Sequence, residues 1–228
     1  MKVPMKPFAE ILKTTARFVF FRSTSNELAA WGKYHLAVGL LLVWLAGIGR
    51  HWDDEKAGFL QSLGAGSLVY VFVLAAYLWL MIWPLRPRDW SYMRVLTAIC
   101  LTAPPAFLYA IPIERWMEIE TSQIANLWAL GIVALWRVAL FVFFAMRGGQ
   151  MSFARSLVGV LFSLCPIVFL LGLMGLASTI ADGMAGTRAP ESTPLQTVSG
   201  FAFSIAGVSF MPLLAAYGYL IWRSYYDQ

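Results

Sequence analysis

Few side chains in this sequence are equipped for chemistry, and the one that stands out is Arg137. It lies near the middle of ANLWALGIVALWRVALFVFFAMR, residues 125–147, an apolar run with no other charge before Arg147. About ten residues separate it from either end of the run, roughly 15 Å of helix at ~1.5 Å per residue. Snorkelling covers that distance incompletely, and a midplane Arg costs about 2.5–3.5 kcal/mol on the insertion scale. Arg137 is therefore expected to face protein or a wet cavity. No Asp or Glu falls within an apolar run, so its expected partners are Tyr70, Tyr77, Tyr109, Tyr217 and backbone carbonyls. The carbonyls would come from LTAPPAFLYAIP, residues 101–112, where Pro104 and Pro105 remove two donors in mid-run. The connection Ile113–Ile124 is short, which makes the two runs antiparallel neighbours. The depths differ by roughly 8 Å at ~1.5 Å per residue, within reach of a long side chain, so Arg137 is expected to bond around residues 101–105 or to Tyr109. Two readings follow. Arg137, Tyr109, Pro104 and Pro105 form a site for an anionic ligand, a lipid headgroup or a partner subunit. Alternatively, Arg137 is a polar link between helices, and the proline pair is a fixed kink rather than a binding break of the transporter kind.

Other chemistries fail on residue arithmetic. His35 and His51 sit near opposite ends of one apolar run and cannot share a metal on one face. No Cys/His ligand spacing is present, so neither metal nor haem is expected. Cys100 and Cys165 both fall inside apolar runs and read as small core residues. Ser209, in GVSF, is followed by neither the glycine of an intramembrane serine nucleophile nor a later histidine. No acid–base or nucleophile constellation remains. The expectation is no catalytic residue, no cofactor and no nucleic-acid partner.

The elements that position these residues are read from hydropathy. The chain has 228 residues, of which 60% are hydrophobic and 13% charged. Soluble domains carry about 25% charged residues, and runs of ~18 apolar residues are the membrane-spanning signal. We expect an all-α polytopic membrane protein. Residues 1–33 form a cytoplasmic, amphipathic interfacial segment. Residues 34–228 form a domain of six spans, at about 34–49, 62–83, 95–112, 125–146, 157–180 and 198–221. No cleavable signal peptide is expected, and the first span reads as a retained signal anchor.

Within Pro7–Arg22, Phe8, Ile11, Leu12, Thr15, Phe18 and Val19 recur at helical spacing. This predicts a helix lying on the membrane with its basic residues towards anionic headgroups, or one packed on the bundle. Thr24 and Glu27 have capping-box spacing. In the last span Gly200, Ser204, Gly207, Ala215 and Gly218 make a small-residue side suited to close helix packing, within the chain or between copies.

Charge sets orientation. Twelve of the seventeen Lys and Arg residues fall on the side of the termini and four on the other, while eight of the twelve acids fall opposite the termini. By the positive-inside rule both termini are cytoplasmic, and a bacterial inner membrane is the expected location. The net charge of +5 is thus an orientation signal.

LTAPPAFLYAIP followed by NLWALGIVALWRVAL resembles the Yip family of small polytopic membrane proteins, over residues 93–147. Arg137 does not map onto that family. The resemblance implies a non-enzymatic role in membrane organisation. The expected function is a non-catalytic accessory or membrane-organising protein, with membrane lipids and other membrane protein subunits, or a second copy, as partners. A small transporter or channel subunit built on Arg137 and the proline break is the alternative, and a membrane enzyme stands third.

Overall fold

A computed structural model describes residues 8–49, 59, 63–111, 116, 118–173 and 193–226. Among these the chain is all helical. Two short helices open it, α1 (Phe8–Val19) and α2 (Ser25–Ala29), followed by α3 (Lys33–Gly49) and α4 (Ala65–Ile82), which runs into a 3-10 turn at Trp83–Leu85. Next come α5 (Tyr92–Leu101), a 3-10 helix at Pro104–Ala110, α6 (Ile119–Arg147), α7 (Phe153–Leu173) and α8 (Thr193–Tyr226).

Among the described residues four segments are long and apolar enough to cross a membrane: Ala65–Leu85, Ile124–Arg147, Phe153–Leu170 and Gly200–Tyr226. Two shorter apolar segments, Lys33–Gly49 and Tyr92–Leu108, lie at the first and third expected spans. The third is interrupted at its prolines: α5 stops at Leu101 and a 3-10 helix resumes at Pro104. Pro104 disfavours helical geometry at Ala103 and neither proline supplies an N–H, so the α ladder ends before them. Pro112 and residues 174–192, which include the end of the fifth span, lie outside the described residues.

The centre of the bundle is α5, with Val95, Leu96, Ala98, Cys100 and Leu101 at 0–1% exposure. It packs on α3 and α4, and the 3-10 helix after it packs on α3 and α6. Backbone approach needs a small residue. At Gly39 of α3, an added Cβ would lie 2.7 Å from Cys100 Cβ, so only glycine lets α3 and α5 close to this distance. Gly64 opens α4 at φ +67, in the left-handed region that favours glycine.

Tyrosine and tryptophan tie the helices together across the chain. Tyr77 donates from α4 to the Ser163 carbonyl of α7 at 2.8 Å. Tyr217 of α8 donates to the Met81 carbonyl. Trp79 and Trp90 each donate their indole N–H to the other's backbone carbonyl. In an apolar surrounding these donors must find a partner, which is why the residues carry both a large apolar body and a polar tip.

The first helices dock on this frame. α1 buries Ile11, Thr15, Phe18 and Val19, four of the six residues expected on its apolar face, while Phe8 and Leu12 remain exposed. Phe18 meets Trp31 edge-on at 5.1 Å, Thr14 Oγ1 pairs with His35 Nε2 at 3.1 Å, and Trp136 of α6 donates to the Val19 carbonyl at 3.0 Å. The capping box forms as its spacing predicts: Glu27 N–H donates to Thr24 Oγ1 at 3.3 Å and Thr24 N–H to Glu27 Oε2 at 3.0 Å. Glu27 also pairs with Arg17 at 2.6 Å, joining α2 back to α1.

Candidate functional site

Arg137 sits on α6 where that helix passes the end of α5. It is half-buried, and its Nε–H donates to Thr102 Oγ1 at 3.3 Å. Thr102 is 3% exposed and its hydroxyl donates in turn to the Ile99 carbonyl at 2.7 Å. The chain is thus guanidinium to hydroxyl to carbonyl. Residue 102 lies inside the 101–105 stretch that helical rise puts within reach of Arg137. The local sequence explains why the acceptor is there. Thr102 is the C-terminal cap of α5, and a threonine hydroxyl at that position can turn back to a carbonyl three residues earlier while its oxygen still accepts.

Pro105 is buried and Pro104 partly so, both opening the 3-10 helix beside this contact. Below them Ala106 packs with Ala46 of α3 and Val133 of α6, a small apolar cluster flanked by Phe107. Arg137, Thr102 and the proline pair are therefore brought together on adjoining elements. The backbone of Tyr109 lies in the same 3-10 helix, and its side chain is outside the described residues.

The other tyrosines expected near Arg137 are placed elsewhere. Tyr77 and Tyr217 spend their hydroxyls on backbone carbonyls of other helices, and Tyr70 is 55% exposed. Among the described residues the ion pairs are Arg17–Glu27 and Arg94–Asp89, so Arg137 has no carboxylate beside it there. Thr102 was the missed residue. Its signal was present: a hydroxyl immediately before Ala103-Pro104-Pro105, in the one position where an interrupted helix leaves its cap inside an apolar run.

The small-residue side of α8 has mixed surroundings. Gly207 comes within 3.7 Å of Phe169 of α7, measured from an added Cβ, whereas Gly200 and Gly218 have nothing within 4 Å among the described residues. Ser204 is exposed and donates to the Gly200 carbonyl of its own helix at 2.9 Å. α8 instead meets its neighbours through a larger stripe. Phe203 stacks on Phe169 at 5.1 Å, Phe210 on Phe162 at 6.0 Å, and Tyr217 on Phe162 at 4.4 Å.

No group of three or more His, Cys, Asp or Glu side chains that could hold a metal occurs among the described residues. His35 is 5% exposed and engaged with Thr14, and His51 lies outside the described residues. The arrangement is that of a helical bundle whose described helices include several apolar enough to cross a membrane, with a polar contact between Arg137 and Thr102 at a helix break. No family model matches the chain, and no curated protein or solved structure matches it.

Proposed function

We propose that the protein is a non-catalytic integral membrane protein that packs with other membrane protein subunits, or a second copy of itself, and with lipids. The observation that carries this reading is α8. This 34-residue helix meets α7 along one stripe, while Phe201 (67%), Val208 (79%) and Met211 (68%) of its other faces are exposed. The outward faces also include Gly200, Ser204 and Gly218, which leave room for another helix backbone to approach. The resemblance of residues 93–147 to the Yip family supports the same non-enzymatic role.

The test is site-specific photo-cross-linking in membranes. A photoreactive residue at Val208 or Met211 is expected to give discrete protein adducts, and one at Phe210, which faces α7, none. Reaction with lipid alone at Val208 and Met211 would remove the partner-packing role.

In this reading the chain crosses six times. The four long apolar helices and the two shorter apolar segments supply the spans, α1 lies at the cytoplasmic surface of a bacterial inner membrane, and the termini are cytoplasmic. The charge asymmetry supports that orientation. A cysteine placed at Glu118 should react with an impermeant thiol reagent from the non-cytoplasmic side. Labelling only after the cytoplasmic face is opened would break the six-span arrangement. Asp54 and Thr187, which share that side in the same scheme, lie outside the described residues.

A second reading, a small transporter or channel subunit, draws on the Arg137–Thr102 contact at an interrupted helix. Under it, Arg137→Leu folds but loses an anionic ligand.

A further inference from the structure

Six arginines gather at one end of the bundle. Arg86, Arg88 and Arg94 lie between α4 and the first turn of α5, Arg147 and Arg155 at the turn from α6 to α7, and Arg223 near the end of α8. The two turns are bonded side by side. Arg88 N–H donates to the Gly149 carbonyl at 2.9 Å, and Arg88 Nη1 to Gln150 Oε1 at 2.9 Å. The end of α8 joins them, because the Arg86 guanidinium lies 3.6 Å above the Tyr225 ring. Asp89 is the one acid on these turns, and Arg94 lies 3.6 Å from it.

Arg155 is directed into the same place. On α7 the residues Arg155, Gly159 and Phe162 share one face by helical spacing. An added Cβ at Gly159 would lie 2.6 Å from Leu85 Cδ1, and Phe162 stacks on Tyr217. That face therefore looks into the wedge between the Trp83–Leu85 turn and α8, with Arg155 at its outer end. Its Nε is buried and has no hydrogen-bond partner among the described residues. Arg86 adopts φ 52, Asp89 φ 48 and Gln150 φ 52, so three non-glycine residues of these two turns occupy the left-handed region. Such conformations cost energy and concentrate where a surface is shaped for binding.

We propose that Arg86, Arg88 and Arg155 bind the phosphodiester headgroup of an acidic phospholipid. The proposal rests on the membrane reading of the chain. Cation–π stacking uses the face of the Arg86 guanidinium and leaves its in-plane N–H groups free to donate, in the fork geometry that fits phosphate oxygens. Arg88 gives one nitrogen to Gln150 and keeps the others. The aromatic surroundings set the depth. Trp83, Trp222 and Tyr226 are more than half exposed at this end, as expected for rings at the headgroup level. A soluble anion would satisfy the arginines alone. A lipid also covers the apolar surface of α8 that begins beside Tyr225.

The test is native mass spectrometry of the full-length protein in detergent, titrated with phosphatidylglycerol, with phosphatidylcholine of the same chains, or with inorganic phosphate. Phosphatidylglycerol should be retained in preference to phosphatidylcholine, and inorganic phosphate at equal concentration should not displace it. Arg86→Gln and Arg155→Gln should each weaken its retention about fivefold, the factor one cation contributes at an anionic membrane surface. Lys13→Gln, on α1, should leave it unchanged. Arg86 and Arg88 are exposed, so the pair Arg86→Gln with Arg88→Gln carries the test if Arg155→Gln does not fold. Equal retention of both lipids, displacement by inorganic phosphate, or a preference that survives the paired variants would overturn the site. Release of the protein from membranes by alkaline carbonate would overturn the membrane reading instead, and the headgroup site with it.

Discussion

Phe18→Ala is expected to free α1 from the bundle while leaving α3–α8 folded. Phe18 is completely buried between the Trp31 ring at 5.1 Å and the Phe143 ring at 6.3 Å. Truncating a buried Phe to Ala costs about 3–5 kcal/mol. That is comparable to everything else that holds this three-turn helix in place. Ile11 and Val19 are its other buried apolar residues, and the further anchors are the Thr14–His35 hydrogen bond and the Trp136 N–H to the Val19 carbonyl, each worth about 0.5–1.5 kcal/mol net, with the Arg17–Glu27 pair adding about 0–1 kcal/mol. Hydrogen exchange over residues 8–19 is the measurement. Protection should fall in Phe18→Ala and persist in Phe8→Ala, because Phe8 is 60% exposed and such surface changes stay within about 0.5 kcal/mol. If α1 stays equally protected in Phe18→Ala, lipid or another contact holds it, and packing on the bundle is not its anchor.

The second large effect concerns Arg137 and its acceptor. Thr102→Val keeps the side-chain shape and removes the oxygen that Arg137 Nε–H meets at 3.3 Å. Stranding a buried donor costs about 1–3 kcal/mol, and more for a charged one. Arg137→Leu removes the charge together with its insertion cost, so it should lower stability less than Thr102→Val or raise it. The double variant should then behave like Arg137→Leu alone, since the hydroxyl has no donor left to satisfy from α6. Thermal unfolding of all four proteins in one detergent gives the coupling directly. Strict additivity would show that the two side chains do not act together. Arg137→Lys is expected to be worse than Arg137→Leu, because it keeps the charge and loses the planar donor geometry. If Arg137 serves a ligand or partner, Arg137→Leu folds and the corresponding adduct disappears.

Much of this was written locally in the chain. The apolar spacing of α1 predicted six inward residues, of which Ile11, Thr15, Phe18 and Val19 are buried while Phe8 and Leu12 are exposed, and Thr24 and Glu27 specified the cap of α2. Counting helical rise from two loop ends put Arg137 within reach of residues 101–105, but the acceptor there is the Thr102 hydroxyl and not a freed carbonyl. What escaped was set by pairs far apart in sequence. Tyr77 and Tyr217 looked available to Arg137 because nothing near them in the chain shows that Ser163 and Met81 carbonyls claim their hydroxyls. The break of the third span was legible in Pro104 and Pro105, but the end of the backbone ladder at Leu101, ahead of them, and its 3-10 continuation were not. The packing face of α8 escaped for a similar reason. Small residues advertise close approach, yet here the aromatic stripe through Phe203, Phe210 and Tyr217 fills the space against α7.

The early stop of α5 also has an electrostatic side. A helix end carries about half a negative charge from its aligned, unpaired carbonyls, and Thr102 is the cap of that end. Arg137 meets that end through the Thr102 hydroxyl. A carboxylate in this place would be lost on protonation, and acid would switch the contact off. A helix terminus cannot be titrated. Its field on Arg137 changes only if the end of α5 moves, by winding the Pro104–Ala110 segment differently or shifting it along α6. The broken span thus ties the surroundings of the internal cation to the position of the end of α5.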